Sequence, residues 1–162
     1  MNTTLLKVAA VYLCHLCPVA CFAAMPPSLP VRGIHLSVPN SADMPLAIRF
    51  IRDALPREGV NVLVLDFGYR YQFTKHPEVT DPDPLSRNDV KKLVAAAKDA
   101  GVRVIPQINC LGHQSWAKTT LALLRTHPEF DETPGQHAGN EGIYCRSYCP
   151  LHPAVHDVLF GR

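Results

Sequence analysis

The stretch VRVIPQINCLGH, residues 102–113, decides the fold of this chain. Five of its first seven residues are apolar or β-branched, and Gly101 stands directly before it as a helix-terminating residue, which predicts a buried strand that follows a helix. The polar residues Gln107, Asn109 and His113 follow where this strand ends. In a parallel sheet, the loops after the strands present side chains to a ligand. The residues alone leave two interpretations open: a ligand-binding edge, or a core strand followed by an ordinary turn.

Two further strands are predicted upstream. Residues 33–38, GIHLSV, alternate apolar and polar side chains, as does a strand with one face on a core. Residues 60–67, VNVLVLDF, are so continuously apolar that both faces must be covered. Helices predicted over residues 45–55 and from Ser86 to Gly101 separate the three strands. This alternation predicts right-handed βαβ units on a parallel sheet, and therefore an α/β fold.

The second half of the chain carries weaker patterns. Apolar spacing predicts a third helix over residues 116–126 and a further helix over residues 153–160. Residues 68–85 and 130–148 are predicted as long loops, because they combine prolines, glycines and polar residues without a period.

Asp66 is a candidate site residue because it falls at the end of the second predicted strand. An unpaired buried charge is too costly to tolerate. Asp66 therefore either faces a ligand on the loop side of the sheet or forms an ion pair with a neighbour such as Arg70, and both interpretations stay open here.

Composition limits the classes of partner. The chain has 162 residues, 47% of them hydrophobic and 19% charged, with a formal net charge of +2. These values are typical of a globular protein, and no basic run suggests a nucleic-acid partner.

The first 24 residues have the pattern of a secretory signal peptide, with Lys7 before an apolar stretch and small residues at 23–24. Residues 25–30 read as a proline-rich linker and residues 31–162 as the folded domain. We therefore expect a secreted or periplasmic protein without a stable membrane span, a lipid anchor being the less favoured alternative. The mature chain keeps Cys110, Cys145 and Cys149, which allows at most one intrachain disulfide, for instance between the last two.

Three ordered motifs resemble glycoside hydrolase family 20, the β-N-acetylhexosaminidases. They are RGIHL at residues 32–36, NV at residues 61–62, and VIPQIN at residues 104–109 followed by Gly112 and His113. The resemblance runs from about residue 31 to about residue 160. It implies the N-terminal portion, about three βα units, of a (β/α)8 TIM barrel. It also implies a carbohydrate partner, a glycan containing N-acetylhexosamine, with no cofactor and no metal ion.

The resemblance also assigns roles to single residues. Arg32 is expected to hold sugar hydroxyls, for which a planar guanidinium is well suited, and His113 to lie on the floor of the same pocket. Asp66 is the third predicted substrate-binding residue, because of its place at the end of a strand and not because of the resemblance.

The catalytic pair of this family is an Asp-Glu dipeptide at the end of the fourth strand, where the glutamic acid protonates the leaving oxygen. The one such dipeptide here, at 131–132, lies in a polar stretch with no apolar strand before it, so its carboxylates are expected to be solvated. We therefore expect the pair beyond Arg162, and no hydrolysis by this chain alone.

Two other interpretations remain open. The chain could be a non-catalytic, sugar-binding half-barrel. Alternatively, Cys145, Cys149, His152 and His156 have residue types that bind zinc, although their spacing is closer than in familiar zinc fingers.

Overall fold

The structure is a computed structural model that describes residues 29–109 and 112–161. The predicted signal peptide, most of the linker and Cys110 lie outside these residues. The chain divides into two units at Pro30, and the elements below belong to the second, Val31–Arg162. In the described part of the chain, no helix is long and apolar enough to cross a membrane.

A three-stranded parallel sheet forms the centre of the second unit. Its strands are β1 (Gly33–Ser37), β2 (Val62–Asp66) and β3 (Arg103–Gln107), in the order β1-β2-β3. Both pairings are parallel. The predicted parallel sheet is therefore confirmed. The prediction that its third strand is buried is wrong, because β3 lies at the edge of the sheet and four of its five residues are exposed.

Two helices cover one face of this sheet. Helix α1 spans Met44–Asp53 and helix α2 spans Arg87–Asp99, within a few residues of the predictions. They pack against each other and against the sheet. The core between these layers contains Ile51, Leu55, Leu63, Leu65, Leu93, Ala96 and Ala97.

A capping box starts α2 at Ser86, the residue at which the sequence predicts that this helix begins. The Ser86 hydroxyl accepts a hydrogen bond from the Asp89 N–H (3.1 Å), and the Asp89 carboxylate accepts one from the Ser86 N–H (3.2 Å). The hydrogen bond from the Ser86 hydroxyl to the Asp89 carboxylate lowers the pKa of Asp89.

The helix predicted over residues 116–126 is wrong in its first half. Strands β4 (Ser115–Trp116) and β5 (Thr119–Thr120) form a short antiparallel hairpin there, and helix α3 covers Ala122–Thr126. The physical reason is that the ends of this segment bond elsewhere: the Gln114 N–H donates to the Arg146 carbonyl and the Leu121 N–H to the Gln114 carbonyl, at 2.8 Å each. Between them Ala117 has a left-handed φ of 48°, which does not occur in a continuous right-handed helix. Helix α4 spans Val155–Phe160 and ends at Gly161, which has a φ of 61°.

The long segments after β2 and after α3 pack into a second apolar cluster. Short 3-10 helices at Pro77–Val79 and Pro128–Phe130 bring these segments against α3 and α4. The fully or nearly fully buried residues of this cluster are Tyr69, Val79, Ala122, Leu123, Leu124, Phe130, Tyr148 and Val155. The predicted loops are thus ordered by burial of their own apolar side chains.

Candidate functional site

Polar side chains meet on the sheet face opposite the two helices. Ser37, Asp66 and Gln107 end the three strands and are paired in register, so they lie side by side at the carboxyl edge. His35 lies two residues before Ser37 in β1, and its Nε2 is 3.0 Å from Gln107 Oε1. Residues two apart along a strand share a face, so these four side chains form one polar surface, which we call the carboxyl-edge surface.

Asp66 is half-buried at the centre of this surface. Its Oδ1 accepts a hydrogen bond from the Gly68 N–H at 3.1 Å. The guanidinium of Arg70 donates instead to the backbone carbonyls of Val38 and Pro39, at 2.8 Å each. The alternative in which Arg70 pairs with Asp66 is therefore wrong, and the substrate-binding role of Asp66 stays a prediction.

The loop after β3 is anchored by Gln114, whose side chain is fully buried. Its Oε1 accepts from the Tyr69 hydroxyl at 2.7 Å, and its Nε2 donates to the Asn109 carbonyl at 2.8 Å. Tyr69 follows β2 by three residues and Asn109 follows β3 by two. One amide side chain thus ties together the loops that leave two neighbouring strands at the carboxyl edge.

A buried ion pair supports the same loop and corrects one sequence prediction. Arg146 and Asp131 have side chains only 6% and 1% exposed, and Arg146 Nη2 lies 2.5 Å from Asp131 Oδ2. The backbone of Arg146 also bonds to Gln114 and to the Ser115 hydroxyl, each at 2.8 Å. The expectation that the carboxylates at 131–132 are solvated is wrong for Asp131, because a guanidinium neutralises its charge inside the protein. Glu132 is exposed.

Three aromatic rings cluster directly beyond this anchored loop. The His113 ring is stacked near Trp116, with centroids 6.2 Å apart, and meets Tyr144 edge-on at 6.0 Å. Trp116 and Tyr144 are in edge contact at 5.1 Å. His113 has a left-handed φ of 55°, which is uncommon for a residue with a side chain. We call these three residues the aromatic cluster.

Arg32 occupies the other end of the sheet. It precedes β1, its Nε donates to the Gly59 carbonyl, and its backbone N–H donates to Asn61 Oδ1 at 2.8 Å. Arg32 precedes Ser37 at the carboxyl edge by five residues, which is about 16 Å along the strand. Asp66 and the loop that carries His113 lie at the carboxyl edge of the sheet, where the strands end. Arg32 lies at the opposite edge, where the strands begin. The sugar-binding role of Arg32 stays a prediction.

The residues of the zinc alternative do not come together. Cys145 and Cys149 are both free thiols. His152 packs against Phe130, and His156 contacts the carbonyl of Pro150. Within residues 29–109 and 112–161, no group of three or more His, Cys, Asp or Glu side chains is placed to hold a metal ion.

The parallel strands alternate with helices, and polar side chains lie at the carboxyl edge, so the chain is an α/β protein. Its fold is similar to that of glycoside hydrolase family 20 structures. The chitobiase of Flavobacterium johnsoniae matches with a TM-score of 0.60 and 24% identity, over 80% of this chain and 20% of that one. A glycoside hydrolase family 20 β-N-acetylglucosaminidase matches with a TM-score of 0.56 and 19% identity, over 79% of this chain and 32% of that one.

At these identities the likeness concerns the fold, and the fold-level part of the resemblance is confirmed. The chain spans between a fifth and a third of the length of these two structures. No protein-family model and no curated protein matches the sequence.

Proposed function

We propose that the carboxyl-edge surface binds a terminal N-acetylhexosamine residue of a glycan, as part of a glycoside hydrolase of the family 20 type. The observation that carries the proposal is the register of the sheet, which aligns Ser37, Asp66 and Gln107 on the face free of helices. Similarity in fold to a chitobiase and a β-N-acetylglucosaminidase supports the choice of ligand.

The chemistry of these groups suits a sugar. The Asp66 carboxylate accepts hydrogen bonds from paired hydroxyls, and hydrogen bonds to a charged group are the stronger kind. Gln107 carries both a carbonyl acceptor and an NH₂ donor, so it can contact either a hydroxyl or an acetamido group. The hydrogen bond between His35 and Gln107 orients that amide before the ligand arrives. Asp66, Gln107 and His35 together form a small, preoriented polar site that is suited to bind a sugar.

Isothermal titration calorimetry of the full chain with N-acetylglucosamine tests this proposal. We expect binding by the wild type and a loss of about 10- to 100-fold in Asp66→Asn, because a hydrogen bond to a charged group contributes about 1.5–3 kcal/mol. Asp53→Asn is the matched control, since Asp53 is an exposed carboxylate at the end of α1. Equal affinity in the two variants would overturn the assignment of the site.

For this chain we propose sugar binding without turnover. Hydrolysis needs a proton donor, which contributes about 10²–10⁴ in rate, and one carboxylate cannot both orient the acetamido group and supply the proton. Among the described residues, Asp66 is the carboxylate that ends a strand of the parallel sheet. We expect the full chain to release no nitrophenol from nitrophenyl N-acetylglucosaminide above background. Turnover that disappears in Asp66→Asn would contradict this and would make Asp66 a catalytic residue.

A further inference from the structure

Arg70 ties together the loops that leave two neighbouring strands at the carboxyl edge. Its Nη2 donates to the Val38 and Pro39 carbonyls at 2.8 Å each and to Asn40 Oδ1 at 3.1 Å. These three acceptors belong to the residues that directly follow Ser37, the last residue of β1. One side chain from the segment after β2 therefore holds the beginning of the loop after β1.

The backbone of Arg70 closes the turn that follows Asp66. The Arg70 N–H donates to the Phe67 carbonyl at 2.9 Å, and the Arg70 carbonyl accepts from the Leu85 N–H at 3.0 Å. Inside this turn the Gly68 N–H donates to Asp66 Oδ1 at 3.1 Å, and Gly68 has a left-handed φ of 50°. The Asp66 carboxylate is thus bonded within the turn that Arg70 closes.

The guanidinium of Arg70 holds uncharged oxygens. Among residues 29–109 and 112–161, no carboxylate forms an ion pair with Arg70, and its side-chain hydrogen bonds go to two carbonyls and one amide oxygen. Hydrogen bonds from a charged donor are stronger than those between neutral groups. Val38 is only 2% exposed, and a buried carbonyl that loses its donor is costly. Removal of the guanidinium therefore weakens the link between the two loops.

This link reaches the proposed binding groups directly. The Val38 N–H donates to the Asp66 carbonyl at 3.0 Å, and Ser37 is paired in register with Asp66. Val38 therefore bonds to Asp66 through its N–H and to Arg70 through its carbonyl. Arg70 acts on Asp66 from two sides, through Val38 and through the turn that its own backbone closes.

We infer that Arg70 is a positioning residue, which holds the Asp66 carboxylate in the orientation that binds the sugar. Binding groups must be held within about 0.5 Å of their productive geometry by the residues that support them. This inference rests on the proposed function, because it names the residue that orients the ligand-binding carboxylate.

A double-mutant cycle tests whether Arg70 acts through Asp66. The affinity for N-acetylglucosamine would be measured by calorimetry for the full chain, for Arg70→Met, for Asp66→Asn and for the double variant. We expect Arg70→Met to weaken binding about 3- to 10-fold in the wild type and less than about 2-fold when Asp66 is already changed, because coupled residues are not additive. The same loss in both backgrounds would overturn the positioning role and leave the proposed function standing.

Amide exchange of Gly68 gives a second readout, which needs no sugar. The Gly68 N–H donates to Asp66 Oδ1, so its exchange rate with solvent, measured by NMR, reports whether the turn is formed. We expect Arg70→Met to raise this rate about 3- to 10-fold, which corresponds to the net contribution of one hydrogen bond. An unchanged rate would overturn the inference.

Arg125→Met is the matched control. Arg125 likewise donates to a backbone carbonyl, that of Thr120 at 3.3 Å, and it joins α3 to the segment after β2 through Asp81 at 3.0 Å. This variant should leave both the sugar affinity and the Gly68 exchange rate unchanged. Loss of affinity in Arg125→Met equal to that in Arg70→Met would overturn the inference, because any loosening of the segment would then suffice.

Arg70→Lys is the conservative variant. It keeps a charged donor for the two carbonyls and should recover part of the affinity that Arg70→Met loses. If circular dichroism shows that Arg70→Met does not fold, Arg70→Lys takes its place in the cycle, and its smaller loss must again disappear in Asp66→Asn. If the wild type does not bind N-acetylglucosamine, the proposed function is overturned and the inference with it.

Discussion

Asp131→Ala is the substitution with the largest predicted effect on folding. It removes the carboxylate that neutralises Arg146, leaving a guanidinium that is only 6% exposed without its partner. It also removes the Oδ1 that accepts from the Thr133 N–H at 2.9 Å. Breaking a buried pair in this way costs about 3–5 kcal/mol. A domain of ordinary stability has about 5–15 kcal/mol in total, so we expect the melting temperature to fall by roughly 10–20 °C.

The neighbouring carboxylate provides the control. Glu132 is exposed, and removing it in Glu132→Ala should change the free energy of unfolding by less than about 0.5 kcal/mol. Urea denaturation followed by circular dichroism measures both variants. A further variant, Asp131→Leu with Arg146→Met, removes both charges and should recover much of the loss, because an apolar pair needs no desolvation of charge. Equal destabilisation by Asp131→Ala and Glu132→Ala would refute the reasoning.

Two more predictions concern single hydrogen bonds. Ser86→Ala should lower the melting temperature at pH 7. The hydrogen bond from the Ser86 hydroxyl holds the pKa of Asp89 below its ordinary value of 3.8. The stability that this bond contributes is therefore fully present above pH 3.8 and is lost as the pH falls through the lowered pKa. The difference from the wild type, measured by thermal denaturation from pH 7 to pH 2.5, should therefore narrow below pH 3.8; a constant difference contradicts the prediction. Tyr69→Phe should destabilise the chain by about 1–3 kcal/mol in urea denaturation, because it removes the donor to the buried Gln114 Oε1. An effect no larger than that of Tyr71→Phe would argue against this bond.

The sheet and its two covering helices could be predicted from the sequence because their signals are local. Alternation in residues 33–38 and the apolar run in residues 60–67 have the period of a strand. The capping pair of Ser86 and Asp89 lies within four consecutive residues. Asp66 could be identified as a candidate for the same reason, since it ends a clearly marked strand. Each of these elements is specified by neighbours along the chain.

The loop that carries the aromatic cluster could not be predicted in the same way. Its structure depends on partners that are far apart in sequence, 45 residues for Tyr69 with Gln114 and 15 residues for Arg146 with Asp131. A single polar residue in a loop has no period, so burial of Asp131 gave no signal. The apolar spacing after Trp116 suggested a helix, and tertiary hydrogen bonds of the loop produced a hairpin instead.

The most direct test of the account is to map sugar binding onto the backbone by NMR. In a titration of the isotopically labelled full chain with N-acetylglucosamine, we predict that the perturbed amides cluster at the carboxyl edge, around Asp66, Gly68 and Gln107. Perturbations confined to Gly59, Asn61 and the residues around Arg32, with none at Asp66 or Gln107, would place the site at the opposite end of the sheet and contradict the account. Absence of perturbation at saturating sugar would contradict it as well.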